Sequence, residues 1–422
     1  MHLSSLKPSP ISPKGIDTQI ARALVEHVLR GQPVKRFAIR LWDGTEVAWA
    51  REREFTLVFH DAPTFVALAV SRSPSAFADA YVDERIDIEG DVDAALRLVL
   101  GLRRPAGGRL QRLTSSIAMP RPHARLRHTR ARDLQDIHAH YDLSDDFFRL
   151  FLDSQMVYSC AYFARPGQAL EEAQERKLDL VCRKLALRPG ESLLDVGCGW
   201  GALAVWAASR YGVRVHGITL SRNQAETARA RVRDAGLAEQ VTIEVRHYAD
   251  LPAHSFDKIA SVGMIEHVGV AGYGRYFGAL HRALRAGGLL LNHGITHPAR
   301  TPDGMGGDFI RRHVFPGAEI PTLPETLAAM DDEGFELLDV QALRPHYALT
   351  LAEWSRRYAA RREEASRLVS RHTLRTWDLY LPGCRHGFEE GLVSVHQCLA
   401  AKPAANGAWP LPLTREEMLL LA

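Results

Sequence analysis

Residues 195–201, Asp195-Val196-Gly197-Cys198-Gly199-Trp200-Gly201, put three glycines and one carboxylate into a single turn. Glycines so spaced let the backbone approach a ligand closely, and a helix that starts there offers unpaired N–H groups. The spacing is GxGxG, which many nucleotide folds share, so the discriminating chemistry lies in Asp195. A carboxylate two residues ahead of the first glycine repels a phosphate and attracts the ammonium of a methionine moiety or a sulfonium. That favours S-adenosylmethionine (SAM) over NAD. Further on, "GITLSRNQ" has no acid to hold ribose hydroxyls, which leaves Thr219, Ser221 and Gln224 for that task. Upstream, the stretch His140–Phe163 surrounds one thiol, Cys160, with Asp, Tyr and Phe residues.

The elements that must position this turn are legible from hydrophobic periodicity. Helix "EEAQERKLDLVCRKLAL" is followed by strand "SLLDVG", helix "ALAVWAASRY", strand "VRVHGITLS" and helix "RNQAETARARVRDAG". Strands "VTIEVR" and "FDKIASVG", helix "YFGALHRALRAG" and strand "GLLLNHGI" complete the series. The alternation predicts an α/β fold with a doubly wound parallel sheet. Ahead of it, helix "DTQIARALVEHVL" and strands "FAIRLWDG" and "EFTLVFHD", with a turn at Asp43-Gly44 between candidate strands, read as a smaller α+β unit.

At 422 residues the chain is long enough for two or three domains. With 53 Lys plus Arg against 50 Asp plus Glu, its charge balance does not suggest a nucleic-acid partner. Between Ala94 and Arg132, however, there is no acid, while Arg97, Arg103, Arg104, Arg109, Arg112, Arg121, Arg125, Arg127, Arg130 and Arg132 accumulate. The stretch has linker composition and serves either as a solvated connector or as a contact for anionic membranes. Five scattered cysteines without a CxxC pair argue against a disulfide framework and a metal site, and fit a reducing cytoplasm. No apolar leader and no apolar run long enough to span a bilayer is expected. The organisation is an N-terminal accessory unit over 1–100, a basic linker over 101–135, the main α/β domain over 136–403 and a tail over 404–422. In that tail, Thr414 to Glu417 reads as a capping box before a short helix, which packs on the body or on a second subunit of a homodimer.

Eight motifs, "HYDLSDDFFRLFLD", "VYSCAYF", "LLDVGCGWG", "ITLSRNQ", "SVGMIEHVG", "FPG", "PHYALTL" and "YLPGC", occur in one order and spacing. From about His138 to Pro403 the chain resembles the cyclopropane fatty acid synthase family, which includes the mycolic acid cyclopropane synthases. The resemblance implies a class I SAM-dependent methyltransferase (Rossmann-like) domain that adds methylene from SAM across a cis double bond of a lipid acyl chain. It also implies SAM contacts at Tyr158, Ser159, Asp195, Gly197, Gly199, Gly201, Thr219 and Gln224, with His247 and Tyr248 on the adenine side. A bound bicarbonate ion is implied as the base that permits ring closure, held by residues matching Cys160, Glu266, His293, Ile295 and Tyr347. Cys384 matches a cysteine once assigned as a nucleophile. Methyl transfer to an alkene needs no protein nucleophile, so a structural thiol is the preferred reading there.

The chemistry explains the aromatic stretch. Attack by an isolated alkene leaves a carbocation, which aromatic faces stabilise and water destroys. Tyr141, Phe147, Phe148, Tyr158, Tyr162 and Phe163 are the candidates to line such a pocket. Two departures stand out: relatives read "LLHTI" where this chain has "LNHGI", which changes the neighbours of His293 at Asn292 and Gly294. "HVFPGAEIPT" carries His313 and Ala318 where Tyr and Gly are common. The expected function is therefore a cyclopropane synthase acting on unsaturated phospholipid acyl chains at the membrane surface, as a cytoplasmic, peripherally associated enzyme. The alternatives are a lipid C-methyltransferase with a branched or methylene product, and a non-catalytic lipid-binding protein with a degenerate methyltransferase fold.

Overall fold

The computed structural model describes residues 18–28, 36–48, 50–71, 73–101, 143–299, 307–408 and 411–416. The arginines from Arg103 to Arg132, Tyr141 and Glu417 lie outside them. The chain divides into two compact units, one of Met1–Met119 with Gly304–Phe309 and Arg375–Leu379, the other of the remaining residues. Among the described residues no helix is long and apolar enough to cross a membrane.

In the first unit, β1 (Phe37–Arg40), β2 (Glu46–Ala48), β3 (Phe55–Phe59) and β4 (Ile86–Gly90) form a sheet in the order β2-β1-β3-β4. Helices Thr18–Val28, Ala62–Ser71, Pro74–Val82 and Val92–Gly101 complete it. The Asp43-Gly44 turn joins β1 to the short β2, not to β3. β1 and β3 run parallel, with Phe37 opposite Phe55, and a tight turn cannot join parallel strands. The Phe37 and Phe55 rings stack at 5.3 Å in the unit's core. Arg375 lies in this unit almost fully buried: it donates to the Tyr81 and Ile86 carbonyls, each at 2.6 Å, and to Asp87 Oδ1 at 2.6 Å. Its guanidinium also sits 3.8 Å from the centre of the Tyr81 ring.

In the second unit, β5 (Ser192–Val196), β6 (Arg214–Thr219), β7 (Val241–Val245), β8 (Phe256–Val262), β9 (Leu284–Thr296), β10 (Glu336–Ala342) and β11 (Ser394–Ala401) form one sheet. Its order is β10-β11-β9-β8-β5-β6-β7. The five strands from β9 to β7 are mutually parallel, as the alternating pattern predicts. β11 is antiparallel to both β9 and β10, so the sheet is mixed rather than purely parallel. Side chains alternate across it. Leu193, Leu289, Leu291 and Leu399 pack beneath helices Leu170–Lys184, Ala202–Tyr211 and Arg222–Asp234. Leu194, Leu290 and Ala400 pack on the other face with helices Tyr273–Ala283 and Leu323–Asp332. Two buried faces make each central strand apolar throughout, which is why "SLLDV" and "GLLLN" read as short unbroken runs. The stretch 284–287, expected as helix, begins β9 instead. Arg415 pairs with Asp339 at 2.8 Å and Leu411 packs on the core, which ties down the described part of the tail.

Candidate active site

β5 ends at the glycine turn, and φ is +75° at Gly197 and +83° at Gly201. Both values belong to the left-handed region that favours glycine. A Cβ on Gly197 would also strike the Met264 side chain, and one on Gly201 would lie 3.0 Å from Ala228 Cβ. The turn is thus pressed against a helix on one side and opens on a cavity of about 150 Å³ on the other. Tyr158, Ser159, Asp195, Gly197, Gly199, Thr219, Gln224, His247 and Tyr248 all line this cavity. Gly201 does not, because it caps helix Ala202–Tyr211. Ser221 does not either: its hydroxyl caps the next helix by accepting from the Gln224 N–H at 3.3 Å. Thr219 Oγ1 donates to Gln224 Oε1 at 3.0 Å, so those two side chains are held as a pair. His247 Nδ1 accepts from Ala249 N–H, and its ring lies 4.2 Å from that of Tyr248.

Asp195 is the buried carboxylate of this cavity, and among the described residues its Oδ2 has no hydrogen-bond partner. Burial pushes its pKa up to about 7, against the pull of Lys177. An orphaned acid beside a glycine cradle is what a ligand ammonium would satisfy, so the residues present fit SAM.

The acids of the 140–163 stretch have structural tasks that their sequence does not announce. Asp145 accepts from Trp200 Nε1 at 2.8 Å, Asn223 Nδ2 at 2.7 Å and Thr227 Oγ1 at 2.6 Å, and so clamps the glycine turn to helix Arg222–Asp234. Asp153 accepts from the N–H groups of Gln155 and Val157, each at 2.9 Å, which turns the chain toward Tyr158. The aromatics divide likewise. Phe147 and Phe148 are wholly buried against Phe151, Trp200 and Tyr358, and Tyr162 lies on His346 at 4.6 Å. Of the described candidates only Tyr158 lines the cavity; Phe147, Phe148, Tyr162 and Phe163 do not. For Phe147 and Phe148, burial in the core accounts for the rings.

Glu266, in the short helix Ile265–Val268, accepts from the Ile295 N–H at 2.7 Å through Oε1, while among the described residues its buried Oε2 has no partner. The Ile295 N–H is thus engaged by Glu266. Burial pushes Glu266 up to about 7. His293 on β9 is buried, with Nδ1 3.2 Å from Gln397 Nε2 and Nε2 without a partner. Burial pushes its pKa down to about 3, so the ring is neutral. With the Gln397 amide donating to Nδ1, the ring proton sits on Nε2. Tyr347 is near enough to Tyr158, Cys160, Glu266 and Cys384 for each to raise its phenol pKa further above the burial effect. The structure thus gathers Cys160, Glu266, Tyr347 and Cys384 into one neighbourhood. Burial pushes the Cys160 thiol up and that of Cys384 to about 12, so neither is a thiolate at neutral pH.

The two departures have local consequences. A Cβ on Gly294 would fall on the Ile265 side chain, next to Glu266, so a threonine there requires Ile265 to move. Asn292 is buried with Oδ1 unpartnered. In the segment carrying Ala318, Glu319 N–H donates to the Glu266 carbonyl at 3.0 Å and the Glu319 carboxylate accepts from Val270 N–H at 3.0 Å. Sequence reasoning missed Lys177, Trp200, Arg246, Met264 and His267, which also line the cavity, and Gln397. Lys177 had a usable signal, a lysine among the apolar positions of an amphipathic helix.

Known proteins match this arrangement. A family described as mycolic acid cyclopropane synthetase matches residues 128–398, and a domain of unknown function (DUF7884) matches residues 24–102. A probable fatty acid methyltransferase of Pseudomonas putida is 41% identical over 384 residues, covering 90% of this chain and 95% of that protein. The solved cyclopropane synthase MmaA2 from Mycobacterium tuberculosis is 38% identical with a TM-score of 0.61, covering 64% of this chain and 98% of that one. The mycolic acid cyclopropane synthase CmaA1, complexed with SAH and CTAB, gives the same identity, coverage and TM-score. The mixed seven-stranded sheet, the glycine turn with its orphaned acid and a match across most of the second unit agree: the chain belongs to the mycolic acid cyclopropane synthetase family, SAM-dependent methyltransferases that act on lipids.

Proposed function

We propose that this chain transfers a methylene group from SAM to a cis double bond of phospholipid acyl chains and so forms a cyclopropane ring. The observation that carries this reading is that Glu266 Oε2 and His293 Nε2 are each buried and, among the described residues, unpartnered, in the same domain as the SAM-type cavity. Ring closure needs a proton taken from the transferred methyl, whereas a cation quenched by hydride to a saturated branch needs no base. When bound, SAM supplies an electrophilic methyl group. Asp195, Tyr158, Ser159 and the glycine turn hold it. Glu266, His293 and Tyr347 are the residues that would hold a bicarbonate ion, which would supply a small general base there. There Glu266 Oε2 would accept from its O–H, and His293 and the Tyr347 hydroxyl would donate to its oxygens. Cys160 and Cys384, as thiols, pack and do not attack.

The C-methyltransferase reading rests on Asn292 and Gly294, which alter the surroundings of His293, and on the name of the Pseudomonas putida relative. Mass spectrometry of membrane lipids after expression in a host without such an enzyme separates the two. A gain of one CH₂ unit that resists hydrogenation is the expected result. A saturated branch in its place would establish the C-methyltransferase and end the cyclopropane reading.

Access to the lipid is assigned to the basic segment Arg97–Arg132, as attraction to anionic bilayers of a cytoplasmic, peripherally associated enzyme. Vesicle sedimentation should show binding to anionic vesicles that weakens as salt rises, since the Debye length falls from roughly 30 Å at 0.01 M to about 8 Å at 0.15 M. Equal binding to neutral and anionic vesicles would remove this assignment.

A further inference from the structure

Lys177 is 2% exposed, lines the cavity and finds one hydrogen-bond partner, Ser159 Oγ at 3.0 Å. An ammonium has three donors, and a buried one is stabilised by a hydrogen-bond acceptor for each. Among the described residues, no carboxylate is in ion-pair contact with it. The negative groups that face it are Asp153, Cys160, Asp195 and Cys182. Asp153 is already satisfied by two backbone N–H groups, and burial keeps both cysteines as thiols. That leaves Asp195, whose own Oδ2 is unpartnered. One wall of the cavity thus carries a cation, and another part an anion, each incompletely satisfied and not paired with the other.

The site around Lys177 is built, not incidental. One turn before it on helix Leu170–Lys184, Gln174 donates to the Ser159 carbonyl at 2.9 Å and the Val157 carbonyl at 3.3 Å. Residues three apart share a helix face, so a single face fixes both the backbone and the hydroxyl of Ser159. Burial lowers the Lys177 pKa to about 8, which leaves the group largely charged at neutral pH.

We propose that Lys177, with Ser159, receives the α-carboxylate of the methionine moiety while Asp195 receives its ammonium, so that the cavity selects a ligand with a zwitterionic amino-acid end. This rests on the SAM reading of the cavity and adds the residue that recognises the carboxylate. Specificity of this kind comes from buried charge left unpaired by the wrong ligand.

The test is calorimetric binding of three ligands: SAM, decarboxylated SAM, which lacks only the carboxylate, and 5′-methylthioadenosine, which lacks the amino-acid end. The native protein should prefer SAM over decarboxylated SAM by roughly 10- to 100-fold, the range of a charge-assisted hydrogen bond. Lys177→Met should lose that preference while binding 5′-methylthioadenosine as the native protein does. Lys177→Arg should keep part of it. If Lys177→Met does not fold, Ser159→Ala should still show a smaller loss confined to SAM. A native protein indifferent to the carboxylate, or a folded Lys177→Met weakened equally toward all three ligands, overturns the proposal. Failure of the native protein to bind any of the three overturns the cofactor reading beneath it.

Discussion

Glu266→Gln is expected to lower turnover by roughly 10²- to 10⁴-fold, the range for loss of an acid–base group, while SAH binding stays close to native. The variant keeps an acceptor for the Ile295 N–H but replaces the unpartnered oxygen with an amide whose orientation nothing in the site dictates. Added bicarbonate should restore the rate only in part, because mass action offsets weaker anion binding and not misorientation. The pH profile gives an independent check. Burial raises this carboxyl from an ordinary 4.5 to about 7. Activity that needs the carboxylate therefore rises with pH up to about 7 and levels off above it. The linkage to stability has the opposite sense. Between the two values the folded state holds more protons than the unfolded state, so stability falls as pH rises through that window. Glu266→Gln removes this penalty, and lost turnover at pH 8 cannot then be ascribed to unfolding. Native turnover and a native pH profile in the variant would leave Glu266 a structural role only.

Arg375→Met should destabilise the first compact unit by roughly 3–5 kcal/mol, the cost of breaking a buried charge site that holds three short hydrogen bonds. The substitution strands the Tyr81 and Ile86 carbonyls, removes the stacking on Tyr81 and leaves Asp87 with His60 as its remaining partner. Arg375→Lys keeps the charge but cannot serve three acceptors with a planar fork, so it should fall between native and Met. Urea unfolding followed by a probe in residues 18–101 measures the effect. An unchanged midpoint in Arg375→Met would mean that the three short hydrogen bonds contribute nothing net.

The α/β class, the succession of elements from Leu170 to Val262 and the place of the glycine turn were legible because local patterns encode them. Five- to seven-residue apolar runs alternate with amphipathic helices, and each glycine of the turn answers to its own φ. The place of Asp195 beside the glycine turn was legible as well, two residues ahead of the first glycine. The eight spaced motifs identified the family. Less legible was what each conspicuous residue does. Asp145 and Asp153, to which the sequence assigned no task, prove to be clamps, and Phe147 and Phe148, candidates for pocket lining, are wholly buried.

The sequence by itself determined periodicity, turn chemistry and motif order, each of which depends on residues a few positions apart. Tertiary structure alone decided the reversed β11 between β9 and β10, the use of the Ile295 N–H by Glu266 across 29 residues, and the meeting of Gln397 with His293 across 104. It also decided that Lys177 would be buried beside Ser159 with no carboxylate in ion-pair contact among the described residues. The physical reason is that a side chain's charge, tautomer and availability follow from what surrounds it after burial. Those surroundings are assembled from segments whose spacing along the chain carries no information about their distance in space.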